Sequence, residues 1–151
     1  MSLSTINELK ELYEIDDYLW IMETVKLLKD KRFDELDLEN LIEELEDLGS
    51  EKRHKVESLL EQIVRHLLLL EYWHNEHERN HRHWCAEVIG FRNQLNDRMT
   101  KNFHNYLNEN LSTIYKKARK YVSVKSGLET FPKECPYTLE ELLNEDWFPK
   151  K

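Results

Sequence analysis

Residues that form turns are scarce in this sequence. Its 151 residues include only 3 Gly and 3 Pro. Sandwiches, barrels and other sheets built from many short strands need turn residues at regular, short intervals. The shortage therefore argues against those β architectures and favours long helices. No segment alternates apolar and polar residues with a period of two, so we predict no sheet.

Cysteine and long apolar runs are also scarce. The only cysteines, Cys85 and Cys135, are far apart and form no CxxC motif, so we predict two reduced thiols in a cytoplasmic protein. The sequence has no run of about eighteen apolar residues, so we predict no membrane span. Its N-terminus also lacks an apolar signal core. The sequence also lacks a GxGxxG fingerprint, a P-loop, a GxSxG elbow and an HExxH motif, which disfavours nucleotide-dependent chemistry and serine hydrolysis.

Acidic residues outnumber basic ones. The chain carries 30 Asp and Glu against 22 Lys and Arg, a net charge of −8 with His neutral. A field of this sign repels phosphate backbones and anionic lipids, so it disfavours nucleic-acid and membrane partners. Hydrophobic residues make up 40% and charged residues 34%, spread through periodic segments. This composition and length predict one folded domain over residues 1–151.

Apolar residues recur at three- and four-residue steps in the first half of the chain, which predicts three helices. The first covers residues 5–31, with Asp16 or Asp17 capping its second portion. The second begins after Asp37 and ends at Gly49, a residue that favours helix ends because it tolerates positive φ. The third covers residues 50–70. Its last turn, a run of four leucines, is apolar on every side, so this helix is expected at the bundle centre.

The second half continues this organisation. We interpret the polar, His-rich residues 72–83 as a connection, followed by helices over 84–99 and 103–127. In the tail, Thr138 and Glu141 have capping-box spacing and predict a short helix. We therefore predict an all-α fold. It is an antiparallel bundle of about five helices plus a short C-terminal helix, with the Pro-rich aromatic tail around Trp147 and Phe148 packed on the bundle.

Four sequence blocks resemble a known family. They are Tyr18-Leu19-Trp20, the block RFDELDLENLIEELEDLG, the Arg-His-Leu-Leu segment that begins at Arg65, and the tail FPKECPYTLEELLNEDWFP. Together they resemble the family called domain of unknown function twenty-nine, found mostly in cyanobacteria, from about residue 12 to residue 149. The resemblance implies a helical bundle and a bacterial cytoplasmic protein. It implies no catalytic residue, substrate or cofactor.

An acidic helix face is the first candidate site. No Lys or Arg occurs between Phe33 and Glu51, and four carboxylates lie opposite the leucine stripe of the predicted second helix: Glu39, Glu43, Glu46 and Asp47. We predict that this face binds a protein partner. The alternative is an ordinary solvated face of an amphipathic helix.

Histidines form the second candidate site. If residues 74–85 were helical, His77, His81 and Cys85 would lie one turn apart on one face. An antiparallel neighbour would bring Glu43 or Glu44 close to His66, as an acid–base pair or a metal site in the bundle core. The alternative metal set is thus His66, Glu43, His77 and His81, for a divalent cation. The competing interpretations are a His-rich connection and a core histidine that bonds to a carbonyl.

Two further patterns have ordinary explanations. Arg98 and His104 resemble the Arg–His signature of some helical ribonucleases, but a lone motif of this kind occurs often by chance. The predicted fifth helix also carries a group of basic residues: Lys116, Lys117, Arg119, Lys120 and Lys125. These residues are able to meet an acidic partner, or they form a solvated face whose cations favour the helix C-terminus.

The sequence therefore predicts a non-enzymatic interaction or regulatory protein that works through helix surfaces, with a protein partner or as a homo-oligomer. No cofactor is predicted. The alternative function is a metal-dependent helical-bundle enzyme that uses a His/Glu site.

Overall fold

The fold is all-α, as the sequence predicts. The structure, a computed structural model, describes residues 3–150 and has no strand within that range. Its α-helices are α1 (Leu3–Ile15), α2 (Asp17–Lys29), α3 (Leu38–Tyr72), α4 (His74–Arg98), α5 (Lys101–Ser126) and α6 (Leu139–Leu143), and one turn of 3₁₀ helix lies at Phe33–Glu35. No helix of this range is both long and apolar enough to cross a membrane.

The chain divides into two compact units, Met1–Glu51 and Lys52–Lys151, and α3 contributes residues to both. The first unit contains α1, α2, the 3₁₀ turn and the beginning of α3. The second contains the rest of α3, then α4, α5, α6 and the tail. The single domain predicted over residues 1–151 stays a prediction.

A side-chain cap explains why α1 and α2 of the first unit are two separate helices. The carboxylate of Asp16 accepts a hydrogen bond from the backbone N–H of Leu19 at 3.0 Å, so Asp16 caps α2 as its position predicts. Tyr13 of α1 packs edge-to-face on Trp20 of α2, with ring centroids 5.0 Å apart. Trp20 is buried, and its indole N–H donates to Asp37 at 3.2 Å, which ties α2 to the start of α3.

Side-chain contacts fix the helix directions in the second unit. Tyr106 of α5 donates to Glu57 of α3, and Tyr121, further along α5, lies under Arg65 of α3. Helices α3 and α5 therefore run parallel. Trp73 of α3 stacks on Trp84 of α4 at 5.9 Å, and an earlier α3 residue, His66, contacts a later α4 residue, Phe91. Helix α4 is therefore antiparallel to both, as expected for helices joined by short connections.

The all-apolar end of α3 forms the core of this unit, as the sequence predicts. The α3 residues that are buried all belong to its second half: Val56, Leu59, Leu60, Ile63, Val64, Leu67, Leu68, Leu69 and Leu70. They cluster with Trp84, Val88 and Leu95 of α4 and with buried residues of α5. Helix α5 ends at Ser126, close to the end that the sequence predicts, and its C-cap is Gly127, which has a left-handed φ of 73°.

Two predicted boundaries are wrong. Gly49 does not end a helix, because α3 continues through it from Leu38 to Tyr72. The expected connection at residues 72–83 is reduced to Trp73, since α4 begins at His74. In addition, the leucine stripe of the predicted second helix is not buried: Leu38, Leu45 and Leu48 are exposed. Periodicity correctly predicted helix at residues 38–48 but not what its apolar face contacts.

We expect Gly49→Ala to stabilise the protein by about 0.5–1 kcal/mol, because alanine favours a helix interior over glycine by that amount. A β-carbon at Gly49 meets no atom within 4 Å, so no clash offsets the gain. The measurement is the free energy of unfolding in urea.

Gly127→Ala is the matched control. It also has open space, but its positive φ strains any residue with a β-carbon, so the same change there should destabilise by about 1 kcal/mol. Destabilisation by Gly49→Ala would contradict the continuous helix.

Candidate functional site

Exposed apolar side chains are concentrated in the first unit. Of the 14 large hydrophobic residues that are exposed in the described chain, 11 precede residue 52: Ile15, Tyr18, Leu19, Ile21, Met22, Leu28, Phe33, Leu38, Ile42, Leu45 and Leu48. In the second unit, the exposed large hydrophobic residues among those described are Ile89, Tyr121 and Val124. Single exposed apolar residues are normal, but contiguous ones mark binding surfaces.

Helix α2 and the first half of α3 form an apolar groove of about 280 Å³. We call it the α2–α3 groove. Its lining residues are Trp20, Ile21, Thr24, Val25 and Leu28 of α2 and Leu41, Glu44, Leu45, Asp47, Leu48 and Glu51 of α3. Trp20 and Thr24 are buried, and the Thr24 hydroxyl donates to the Trp20 carbonyl at 2.8 Å. The one polar side chain from α2 is thus already satisfied, which leaves an apolar α2 wall.

Carboxylates supply all the charge of the α2–α3 groove. Glu44, Asp47 and Glu51 line it, and no Lys or Arg of the described residues does. Glu44 accepts a hydrogen bond from the Tyr13 hydroxyl at 2.7 Å, and this bond raises the pKa of Tyr13 above its usual range. Residues 1–51 contain 16 Asp and Glu and 5 Lys and Arg, so this unit has a net charge of −11. The groove therefore lies within a strongly negative field.

The predicted partner-binding face only partly coincides with this groove. Of the four predicted carboxylates, only Asp47 lines it. Glu39, Glu43 and Glu46 are exposed on α3 outside the lining, and Glu39 forms an ion pair with Lys10 at 3.7 Å. Sequence reasoning placed the site on the charged side of the helix because it assumed that the leucine side was core. The exposed leucines instead lie beside Glu44, Asp47 and Glu51.

The predicted His77–His81–Cys85 geometry is present, because this segment is helical. Nδ1 of His81 lies 3.2 Å from Nε2 of His77, and Nε2 of His81 lies 3.8 Å from Sγ of Cys85. In a His–His hydrogen bond, one ring nitrogen donates and the other accepts. Burial raises the pKa of the Cys85 thiol. Cys85 therefore lacks the stabilised thiolate that a nucleophilic cysteine needs.

The predicted metal set is not brought together. Among the described residues, no three or more His, Cys, Asp or Glu side chains are grouped as metal ligands. His77 and His81 are adjacent, with His74 and Glu78 lining the same open cleft. Glu43 and His66 belong to one continuous helix, 23 residues apart, so the premise that an antiparallel helix pairs them is wrong.

His66 has the environment of a core histidine. Its Nδ1 lies 2.7 Å from the Gln62 carbonyl, to which it donates, and its ring centroid lies 5.5 Å from that of Phe91. Burial lowers the pKa of His66, and the Gln62 hydrogen bond and Glu87 oppose this shift only in part. These contacts match the interpretation in which His66 bonds to a backbone carbonyl.

The structure does not pair Arg98 with His104, and it gives the basic residues of α5 different environments. Arg98 is exposed in the last turn of α4 and has no hydrogen bond or ion pair with the half-buried His104 of α5. Of the basic α5 residues, Arg119 donates to the Phe131 carbonyl at 3.3 Å and so binds the tail. The other four, Lys116, Lys117, Lys120 and Lys125, are exposed.

Sequence reasoning missed Arg92, which is fully buried. Its guanidinium donates to the carbonyls of Leu142 at 2.8 Å, Trp147 at 2.6 Å and Glu141 at 3.1 Å, and lies 5.2 Å from the Phe148 ring. Desolvation lowers the pKa of Arg92 to about 10, so it remains a cation at neutral pH. The sequence signal for this role was the position of the basic Arg92 between Phe91 and Leu95, two residues of the apolar stripe of this helix. Arg92 anchors α6 and the tail, which is a structural role.

We expect Arg92→Met to destabilise the protein by about 3 kcal/mol, because it removes the guanidinium donor from the carbonyls of Leu142, Trp147 and Glu141, of which only Glu141 keeps another donor, the Asn144 N–H. The measurement is unfolding in urea. Arg82→Met is the matched control and should change stability by less than about 0.5 kcal/mol, since Arg82 is exposed on the same helix. Equal effects of the two substitutions would show that the tail is not held by Arg92.

His66 should make stability fall on acidification. Because its folded pKa is lowered, the unfolded chain takes up the proton first as pH falls below about 6.5, which favours unfolding. Stability is therefore fully present above that pH and decreases below it. Urea unfolding at pH 7.5 and 5.5 should show a smaller loss for His66→Gln than for the wild type. The exposed His54→Gln should keep the wild-type loss, and an unchanged loss in His66→Gln would refute this assignment.

Comparison with known proteins identifies a family. The family model described as "Domain of unknown function DUF29" matches residues 12–148. No curated protein and no solved structure matches the chain.

Proposed function

Because the chain belongs to the DUF29 family, whose description carries no activity, we propose its function from its surface: a non-enzymatic interaction protein that binds a cationic amphipathic helix in the α2–α3 groove. The supporting observation is the exposed apolar lining beside three carboxylates. We also propose a cytoplasmic location, since Cys85 and Cys135 are free thiols.

The exposed apolar side chains of the groove favour the binding of a partner, because binding would remove them from water. Covering one leucine-sized side chain removes apolar area worth about 1.5–3 kcal/mol from water. Leu45 is 59% exposed and Leu48 48% exposed, and Ile21 and Leu28 face them from α2. A helical partner would insert side chains spaced by three, four and seven residues between these two walls.

The charge of the groove selects the partner. Glu44, Asp47 and Glu51 would be desolvated by an apolar partner with no compensation, at a cost that favours Lys or Arg beside the apolar anchors. The net charge of −11 in residues 1–51 also speeds the approach of a cation and repels acidic helices. The partner is therefore a helix with one apolar stripe flanked by Lys and Arg.

The alternative, a metal-dependent enzyme, has less support. A catalytic divalent-metal site needs about three converging protein ligands. In the part of the chain that the structure describes, His77 contacts His81, Cys85 lies one turn further and His74 and Glu78 line the same cleft, but no three such side chains are grouped as metal ligands. No observation favours it over the groove.

Fluorescence anisotropy with labelled synthetic helices tests the proposal. We expect a Leu/Lys amphipathic peptide to bind, and its Leu/Glu counterpart and a scrambled Leu/Lys peptide to bind at least about tenfold more weakly. Leu45→Ala should weaken binding by about tenfold, because it removes a groove wall. Ile42→Ala is the matched control, since Ile42 is 54% exposed on α3 but does not line the groove.

A charge reversal completes the test. Asp47→Lys should weaken binding about tenfold at physiological salt, whereas Glu46→Lys, one residue away and outside the lining, should weaken it less than threefold. Equal losses for the two reversals, or equal binding of the Lys and Glu peptides, would refute recognition of a cationic helix by this groove.

A further inference from the structure

Helix α5 has a face with the properties that the α2–α3 groove requires. Lys117, Lys120, Tyr121, Val124 and Lys125 lie at spacings of three and four residues, so they share one side of the helix. Val124 is 79% exposed and Tyr121 43% exposed, and the Arg65 guanidinium lies over the Tyr121 ring, 3.7 Å from its centroid. We call these five residues the α5 face.

The charge of the second unit complements that of the first. Residues 52–151 contain 17 Lys and Arg and 14 Asp and Glu, a net charge of +3, against −11 for residues 1–51. Among the described residues, no carboxylate forms an ion pair with the three lysines of the α5 face, while the nearby Arg65 is paired with Glu61. The lysines therefore remain available to carboxylates outside this unit.

We propose that the α5 face of one copy of the chain binds in the α2–α3 groove of a second copy. This inference rests on the proposed function and names its partner. Tyr121 and Val124 insert between the α2 and α3 walls, and the lysines pair with Glu44, Asp47 and Glu51. Both surfaces combine an apolar centre with charges of opposite sign, which is the complementarity that helix-in-groove recognition uses.

The inference predicts a particular kind of assembly. Each copy carries both a groove and an α5 face, and the two surfaces differ, so the contact is heterologous. Such a contact repeats from copy to copy or is reciprocated within a dimer. In either case it weakens as salt screens the charge pairs.

Sedimentation velocity of the full chain is the first test. In low salt we expect a concentration-dependent mass above the 18.4 kDa monomer, which returns towards the monomer in 1 M NaCl (about 3 Å screening length). A monomer at every concentration in low salt would overturn the inference. Binding of the Leu/Lys peptide is measured separately, so the proposed function would stand if that peptide still bound.

Paired charge reversals identify the two surfaces. The groove variant is Asp47→Lys with Glu51→Lys, and the face variant is Lys117→Glu with Lys120→Glu. All four residues are exposed, and circular dichroism checks that both variants remain helical. Each variant alone should be monomeric. An equimolar mixture should form a 1:1 complex, because the groove of the face variant and the α5 face of the groove variant are both intact.

Glu43→Lys with Glu46→Lys is the matched control. It makes the same change in net charge on α3 but outside the groove lining, and it should associate like the wild type. Loss of association in this control, continued association of either reversal variant alone, or failure of the mixture to form a complex would each overturn the inference.

Discussion

The first 51 residues leave many of their large apolar side chains exposed, and the functional proposal depends on that exposure. Small units bury a smaller fraction of their surface than large ones, so two short helices and part of a third leave leucines in water. Here the buried apolar residues of that unit are few, chiefly Leu9, Trp20 and Leu36, while 11 large hydrophobic residues stay exposed. A partner that covers this surface would supply the missing apolar contacts.

The second unit, in contrast, buries most of its large apolar side chains in one core. The four consecutive leucines at the end of α3 are buried on all sides by α4, α5 and the tail. The tail is held there because Arg92 satisfies carbonyls at the end of α6, and Asn96 adds a hydrogen bond to Leu143 at 3.2 Å. Burying an unpaired guanidinium is costly, and the several carbonyl acceptors offset that cost. The result is a well-packed unit whose exposed apolar residues are few.

Periodicity and capping predicted much of the fold. Asp16 and the Thr138–Glu141 capping box have the predicted roles, and α5 ends close to Gly127 as predicted, because each acts through its own backbone neighbours. Gly49 misled the prediction because glycine costs a helix interior only about 1 kcal/mol, which neighbouring turns outweigh. Helix at residues 74–83 was missed because contacts such as the Trp73–Trp84 stack outweigh weak local propensities.

The candidate site was less predictable for a related reason. A leucine stripe has the same spacing whether it faces a core or water, so sequence alone assigned Leu45 and Leu48 to the core and the function to Glu39, Glu43 and Glu46. Only the tertiary structure shows that the acids beside the leucines are Glu44, Asp47 and Glu51. Arg92 was missed because a basic residue within an apolar stripe normally extends into solvent.

Amide chemical-shift mapping measures the location of binding most directly. The isotope-labelled chain would be titrated with the Leu/Lys amphipathic peptide, and each backbone amide followed. The account predicts that the largest shifts fall in α2 and in the α3 residues that line the groove, from Leu41 to Glu51. Shifts centred on the histidines of α4, or spread evenly over the acidic surface, would contradict it.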